Sequence, residues 1–151
     1  MRVLIATPLY PPEPGGPATY SKLLEDGLPG LGIEVALVKF SDVRHLPTGF
    51  RHVAYFSRVR RAARDADLIY ALDAVSVGLP AMFAAKLSHK PFIVKIVGDY
   101  AWEQGRQSFG TSETLDEFVR RRWISPFLLP YRWIQTIVAR ETNPQDPLVV
   151  T

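Results

Sequence analysis

The sequence has no cysteine, which excludes disulfides and thiolate metal sites and suits a reducing cytoplasm. Histidine is scarce: His45, His52 and His89 are scattered without ligand-like spacing, so no metal site is expected through them. No apolar run approaches the roughly 18 residues that suggest a membrane span. The opening Met1 to Thr7 carries one charge and too short an apolar run for a signal peptide. A cytoplasmic protein is therefore expected. Two nucleotide-binding signatures are also missing. The dinucleotide fingerprint needs G-x-G-x-x-G directly after the first strand and an acid at the end of the second. Here the loop is longer and proline-rich, its glycines are adjacent, and Val38-Lys39-Phe40 brings no acid before Asp42. A P-loop fails because no Gly-Lys-Ser/Thr follows.

What is present fits one globular domain. The 151 residues can bury a real core, and 47% hydrophobic with 22% charged residues is ordinary for a soluble fold. The net charge of +3 is unevenly spread, with Arg58, Arg60, Arg61 and Arg64 in one cluster and Arg120, Arg121 and Arg122 in another. These are read as solvated helix faces. No recognition motif accompanies them, so no nucleic-acid partner is expected.

The pattern alternates strand and helix. Residues 2–7 form an apolar run fit for a central parallel strand, and Pro8 to Gly16 form a stiff loop. Pro17 stands where a helix tolerates its missing N–H, and that helix should run to about Leu28. Strands are expected at 33–39, 68–71 and 92–97, and helices at about 52–66 and 77–87. Phe56, Val59, Ala63 and Ala66 recur at helical spacing as a buried stripe. Residues 42–50 look irregular, and after Gly110 the pattern turns helical. This order predicts a doubly wound, Rossmann-like α/β fold with a parallel sheet and extra helices after residue 110.

In such sheets ligands bind beyond the carboxyl ends of the strands, near the reversal of strand order. That rule selects the loops after strands one and four. In the first, Gly15 and Gly16 open a helix, allowing close backbone approach by a phosphate or a sugar hydroxyl; a plain turn would use the same glycines. In the second, Gly98 precedes Asp99, Tyr100, Trp102 and Glu103. The two carboxylates can accept hydrogen bonds from sugar hydroxyls or serve as a base. The two aromatic faces can pack on a sugar ring. Arg106 is a further substrate-contact candidate; the alternative reading places the aromatics in the core and pairs the acids with Arg106 or Lys95.

Taken together, these loops resemble the N-terminal domain of glycosyltransferase family 4. The resemblance rests on the opening strand, Pro8-Leu9-Tyr10-Pro11-Pro12 with Gly15-Gly16, Asp67 to Asp73 followed by Gly78-Leu79-Pro80-Ala81, and Gly98 to Glu103. It covers about residues 1–140. It implies a two-domain GT-B enzyme in which this domain mainly binds the acceptor and a second grips a nucleotide-sugar. It implies transfer with retention of configuration, without an obligatory metal and with no cofactor beyond the donor. Gly15 and Gly16 would then contact donor phosphates or the transferred sugar. Relatives often carry a histidine after strand four, where this chain has Asp99. No two glutamates here have the seven-residue separation of the family's donor site. The expectation is thus an acceptor-binding half spanning residues 1–151, inactive without a C-terminal donor domain. A stand-alone glycan or sugar-nucleotide binding module, or a truncated remnant, stays open beside it. Family acceptors are often lipid-linked, and Arg120–Arg122 precede Trp123, Phe127, Leu128, Leu129, Tyr131 and Trp133. Peripheral contact of 120–133 with the inner membrane face is a further expectation, although Pro126 and Pro130 interrupt any single helix.

Overall fold

The computed structural model describes residues 1–96 and 129–142. Strand β1 (Arg2–Thr7) leads through the proline loop to helix α1 (Gly16–Gly27), then to β2 (Glu34–Lys39). Helix α2 (Thr48–Ala62), β3 (Leu68–Ala71), α3 (Leu79–Ser88) and β4 (Phe92–Val94) follow, and α4 (Leu129–Thr142) closes the described chain. The four strands form one all-parallel sheet in the order β2-β1-β3-β4. The protein is thus an α/β fold with a parallel sheet, compatible with a Rossmann-like arrangement.

Alternation along β1 explains why helices cover both faces. Val3 and Ile5 point toward α1, where Tyr20 and Leu24 meet them. Leu4 and Ala6 point to the other face, against Tyr55 and Val59 of α2 and Ala81 and Ala84 of α3. All four β1 side chains are buried, and full burial of a Leu or Ile contributes about 1.5–3 kcal/mol. The small residues of α3 let that helix lie close to α2. Tyr55 is fully buried, donates its hydroxyl to the Val38 carbonyl at 2.8 Å, and meets the Phe40 ring edge-on at 5.2 Å.

Among the described residues the expected strands and helices appear, with three differences of extent, and of the helices expected after residue 110 only Leu129–Thr142 falls there. Helix α2 starts at Thr48 within the stretch expected to be irregular, because Pro47 stands just ahead of its first turn. Its buried stripe includes Tyr55, while Phe56 is only partly covered. The third helix is entered through a π-helical turn, Ala74–Gly78, rather than starting at Val77. Strand β4 ends at Val94. The arginines at 58, 60, 61 and 64 are exposed, as read from the sequence.

Helix α4 has Pro130 in its first turn, a position that tolerates the missing N–H. It buries Val138 with Ala74, Val75 and Met82. Gly78 makes that contact possible: a Cβ there would lie 2.5 Å from the Asp73 carbonyl oxygen and 3.2 Å from Val138 Cγ1.

Candidate functional site

Strand order reverses between β1 and β3, so the segments leaving those two strands flank the crevice. The sequence rule selected the loops after β1 and β4; the strand order adds the turn after β3 as the direct neighbour of the glycine loop. A cleft of about 690 Å³ opens there, a size that takes a small ligand.

The first wall is the loop Pro8 to Gly15. Thr7, fully buried, donates its hydroxyl to the Leu9 carbonyl at 2.6 Å. The Tyr10 hydroxyl donates to Glu25 of α1, and the Lys39 ammonium lies 3.7 Å from the Tyr10 ring centre. Glu13 accepts from the Tyr10 N–H at 3.2 Å and pairs with Arg44, whose Nη2 also reaches the Pro8 carbonyl at 3.0 Å. These ties fix the loop in place. The Tyr10 hydroxyl holds Glu25 below the usual carboxylate range, with Lys22 assisting against the effect of burial.

The two glycines at its end differ. Gly15 has φ of 137°, and a Cβ would come within 2.9 Å of Leu9 Cδ1, so the turn requires glycine. Gly16 begins α1 with nothing within 4 Å of where a Cβ would stand, and it lines the cleft. The local fold does not need glycine at Gly16. That leaves room for a ligand.

The second wall is the turn after β3. Asp73 Oδ1 accepts from the Val75 N–H at 2.5 Å, both its oxygens accept from the Ser76 N–H at 3.2 Å, and the Ser76 hydroxyl adds a further bond. Asp73 therefore caps the π-helical turn. With its oxygens so engaged, it is a poor candidate for a proton acceptor.

The third wall is the start of α2. Arg51 donates from Nη2 to Thr48 Oγ1 at 2.7 Å, while its Nε is shut off from solvent with no acceptor in reach. A buried donor without a partner costs about 1–3 kcal/mol. His52 packs its ring 5.3 Å from Phe40. Burial pushes its imidazole below the ordinary range, Arg51 adds to this, and the Ser76 backbone partly offsets it. His52 is thus a neutral imidazole at pH 7. Across the cleft the Lys95 ammonium sits 3.3 Å from the Tyr20 ring centre, a cation–π contact worth about 0.5–2 kcal/mol. Tyr20 and Tyr70 share a hydroxyl contact of 3.3 Å, and burial followed by that contact pushes the Tyr70 phenol up, so it stays neutral. Tyr131 and Gln135 of α4 complete the lining.

Of the residues selected from sequence, Gly16 lines this cleft and Gly15 shapes its rim. Asp99, Tyr100, Trp102, Glu103 and Arg106 lie outside the described residues, as do Arg120–Arg122 and Trp123. The described chain reaches the cleft at Lys95 and Ile96. Sequence reasoning missed Arg44, Arg51, His52, Asp73 and Lys95 as cleft residues. Asp73 had a usable signal, an acid two residues past a strand with a serine three further on, which is a capping pattern. Arg44, Arg51 and His52 had none, because they stand in or beside the 42–50 segment, which carries no periodicity, and Lys95 had none because only the strand order brings it to the cleft. Among the described residues no three of His, Asp and Glu gather closely enough to hold a metal ion. Among them, too, no helix is long and apolar enough to cross a membrane.

No protein-family model matches the chain, and no curated protein does. Fold and site together define an α/β protein with an all-parallel sheet and a ligand-sized cleft at the carboxyl edge of its strands.

Proposed function

We propose that this chain is the acceptor-binding half of a retaining, nucleotide-sugar-dependent glycosyltransferase of GT-B type. One observation carries the reading. The glycine loop after β1 is held rigidly by its own contacts, yet Gly16 in it is glycine without local structural need and faces a 690 Å³ cleft. A backbone kept bare beside a cleft at the strand-order reversal favours close approach of a sugar or phosphate.

In this reading the cleft seats the acceptor, and a second domain grips the nucleotide-sugar. Neutral His52 and the Thr48 and Ser76 hydroxyls offer donors and acceptors to sugar hydroxyls. Asp99 and Glu103 are the proposed chemical groups, with Tyr100, Trp102 and Arg106 as further acceptor contacts. The donor supplies the leaving group, and no obligatory metal or other cofactor takes part. The acceptor is a sugar or a lipid-linked sugar. Residues 120–133 touch the inner membrane face peripherally; Leu129 and Trp133, 51% and 67% exposed on α4, support that contact.

The test mixes the purified chain with a complete donor domain of a retaining transferase, a sugar-nucleotide panel and candidate acceptors. Transfer by the mixture and none by the chain alone is expected. Robust transfer by the chain alone overturns the division of labour, and no transfer in either condition overturns the transferase reading. Flotation with anionic liposomes tests the membrane contact, which protein left at the bottom of the gradient would end.

A further inference from the structure

Positive charge exceeds negative charge on the cleft wall. Arg44, Arg51 and Lys95 line it against a single carboxylate, Asp73, among the described residues. Two of these four are already committed: Arg44 to Glu13 and the Pro8 carbonyl, and Asp73 to the turn it caps. Arg51 and Lys95 remain, and neither has a carboxylate partner among the described residues.

The two cations are held in different ways. Arg51 has Nη2 on Thr48 and a buried Nε, so among the described residues its Nη1 is the guanidinium nitrogen left to a ligand. Lys95 rests its ammonium on the Tyr20 ring, which leaves its N–H donors to be satisfied by something else. Two helix starts reinforce them. Helices α1 and α2 both begin at the cleft, and neither has a side-chain cap or an acidic residue in its first turn. Their partial positive charge adds to that of the side chains.

We propose that this cleft binds a phosphate group, with Arg51 and Lys95 as its ligands, and that the acceptor is therefore a phosphate-bearing molecule. A phosphate ester presents several strong acceptor oxygens. These can take guanidinium, ammonium and helix-start N–H groups together, as a neutral sugar hydroxyl cannot. The identity of the phosphate's carrier as an acceptor rests on the transferase reading above; the phosphate site itself does not.

The test is calorimetric titration of the whole chain with glycerol 3-phosphate at low salt, with glycerol as the uncharged control. Binding of the phosphate ester and not of glycerol is expected. Arg51→Gln and Lys95→Gln should each weaken it about tenfold or more, while Arg61→Gln, exposed on α2 away from the cleft, should change it less than about twofold. Thermal melts accompany each variant, and Lys95→Gln carries the test if Arg51→Gln unfolds. Pelleting with phosphatidylglycerol vesicles, against phosphatidylcholine, locates the carrier. Vesicle binding lost in the same two variants means a lipid-borne phosphate, and soluble binding alone means a water-soluble one. Glycerol 3-phosphate binding no tighter than glycerol, or wild-type binding in the Arg51→Gln/Lys95→Gln double variant, overturns the proposal. Phosphate binding without sugar transfer in the mixing experiment removes the transferase reading and leaves this site. Transfer to an uncharged acceptor without phosphate binding does the reverse.

Discussion

The packing beneath α2 and α3 and the cleft at the carboxyl edge of the sheet are built from the same strands but by different rules. In the core, each polar group has a structural duty: the Tyr55 hydroxyl serves the Val38 carbonyl, and the small residues of α3 serve close packing. At the cleft, Asp73, Arg44 and Gly15 have such duties too, yet Gly16 has none, and Arg51 and Lys95 keep donors that their contacts with Thr48 and Tyr20 do not use. Residues that the fold does not require, gathered on one concave surface, are what separates a site from a core. The contrast can be tested residue by residue.

The largest effect should come from Gly78→Ala, where the core meets the turn behind the cleft. The new Cβ would overlap the Asp73 carbonyl at 2.5 Å, and overpacking of this kind costs about 1–3 kcal/mol. Urea unfolding should place this variant at the upper end of that range. Tyr55→Phe comes next. It leaves the Val38 carbonyl without its donor in the core, at a cost of about 1–2 kcal/mol by the same measurement. Asp73→Ala removes the cap of the Ala74–Gly78 turn and should cost about 1 kcal/mol, whereas Asp73→Asn, an equally good cap, should keep most of the stability. Were Asp73 instead a proton acceptor, Asn would preserve the fold and abolish activity.

A smaller effect is expected from pH. The His52 imidazole titrates below its unfolded value because burial and then Arg51 disfavour the charged form. The unfolded chain therefore binds more protons near pH 6, so stability falls as pH drops through about 6.5, the unfolded value. Unfolding at pH 5.5 and 7.5 should show this loss, and His52→Gln should reduce it. Smallest of all is the stability change in Gly16→Ala, within about 0.5 kcal/mol of zero or slightly stabilising. The informative readout there is ligand affinity, which should fall because the added methyl stands in the cleft rather than in the fold.

Much of the fold was legible in the residues. The apolar run of β1, the prolines before α1 and the alternation of strand and helix suffice for a parallel α/β sheet, because burial on both faces leaves that signature. The site was legible only in part. Gly16 announced itself by standing at a helix mouth. Arg51 and His52 did not, since whether a charged residue faces solvent or a cleft depends on how the 42–50 segment bends. No periodicity encodes that bend. Nor does sequence order alone reveal that β3 lies beside β1, which is what brings Asp73 and Lys95 to the same cleft as Gly16.

The most direct test of a ligand site at the carboxyl edge is an amide-resolved NMR titration of the whole chain with a phosphorylated sugar. Perturbations should concentrate at Gly16, His52, Ser76 and Lys95 and leave the exposed arginines of α2, Arg58 to Arg61, unmoved. Shifts centred on those arginines, with the cleft amides unchanged, would contradict the assignment of this cleft as the binding site.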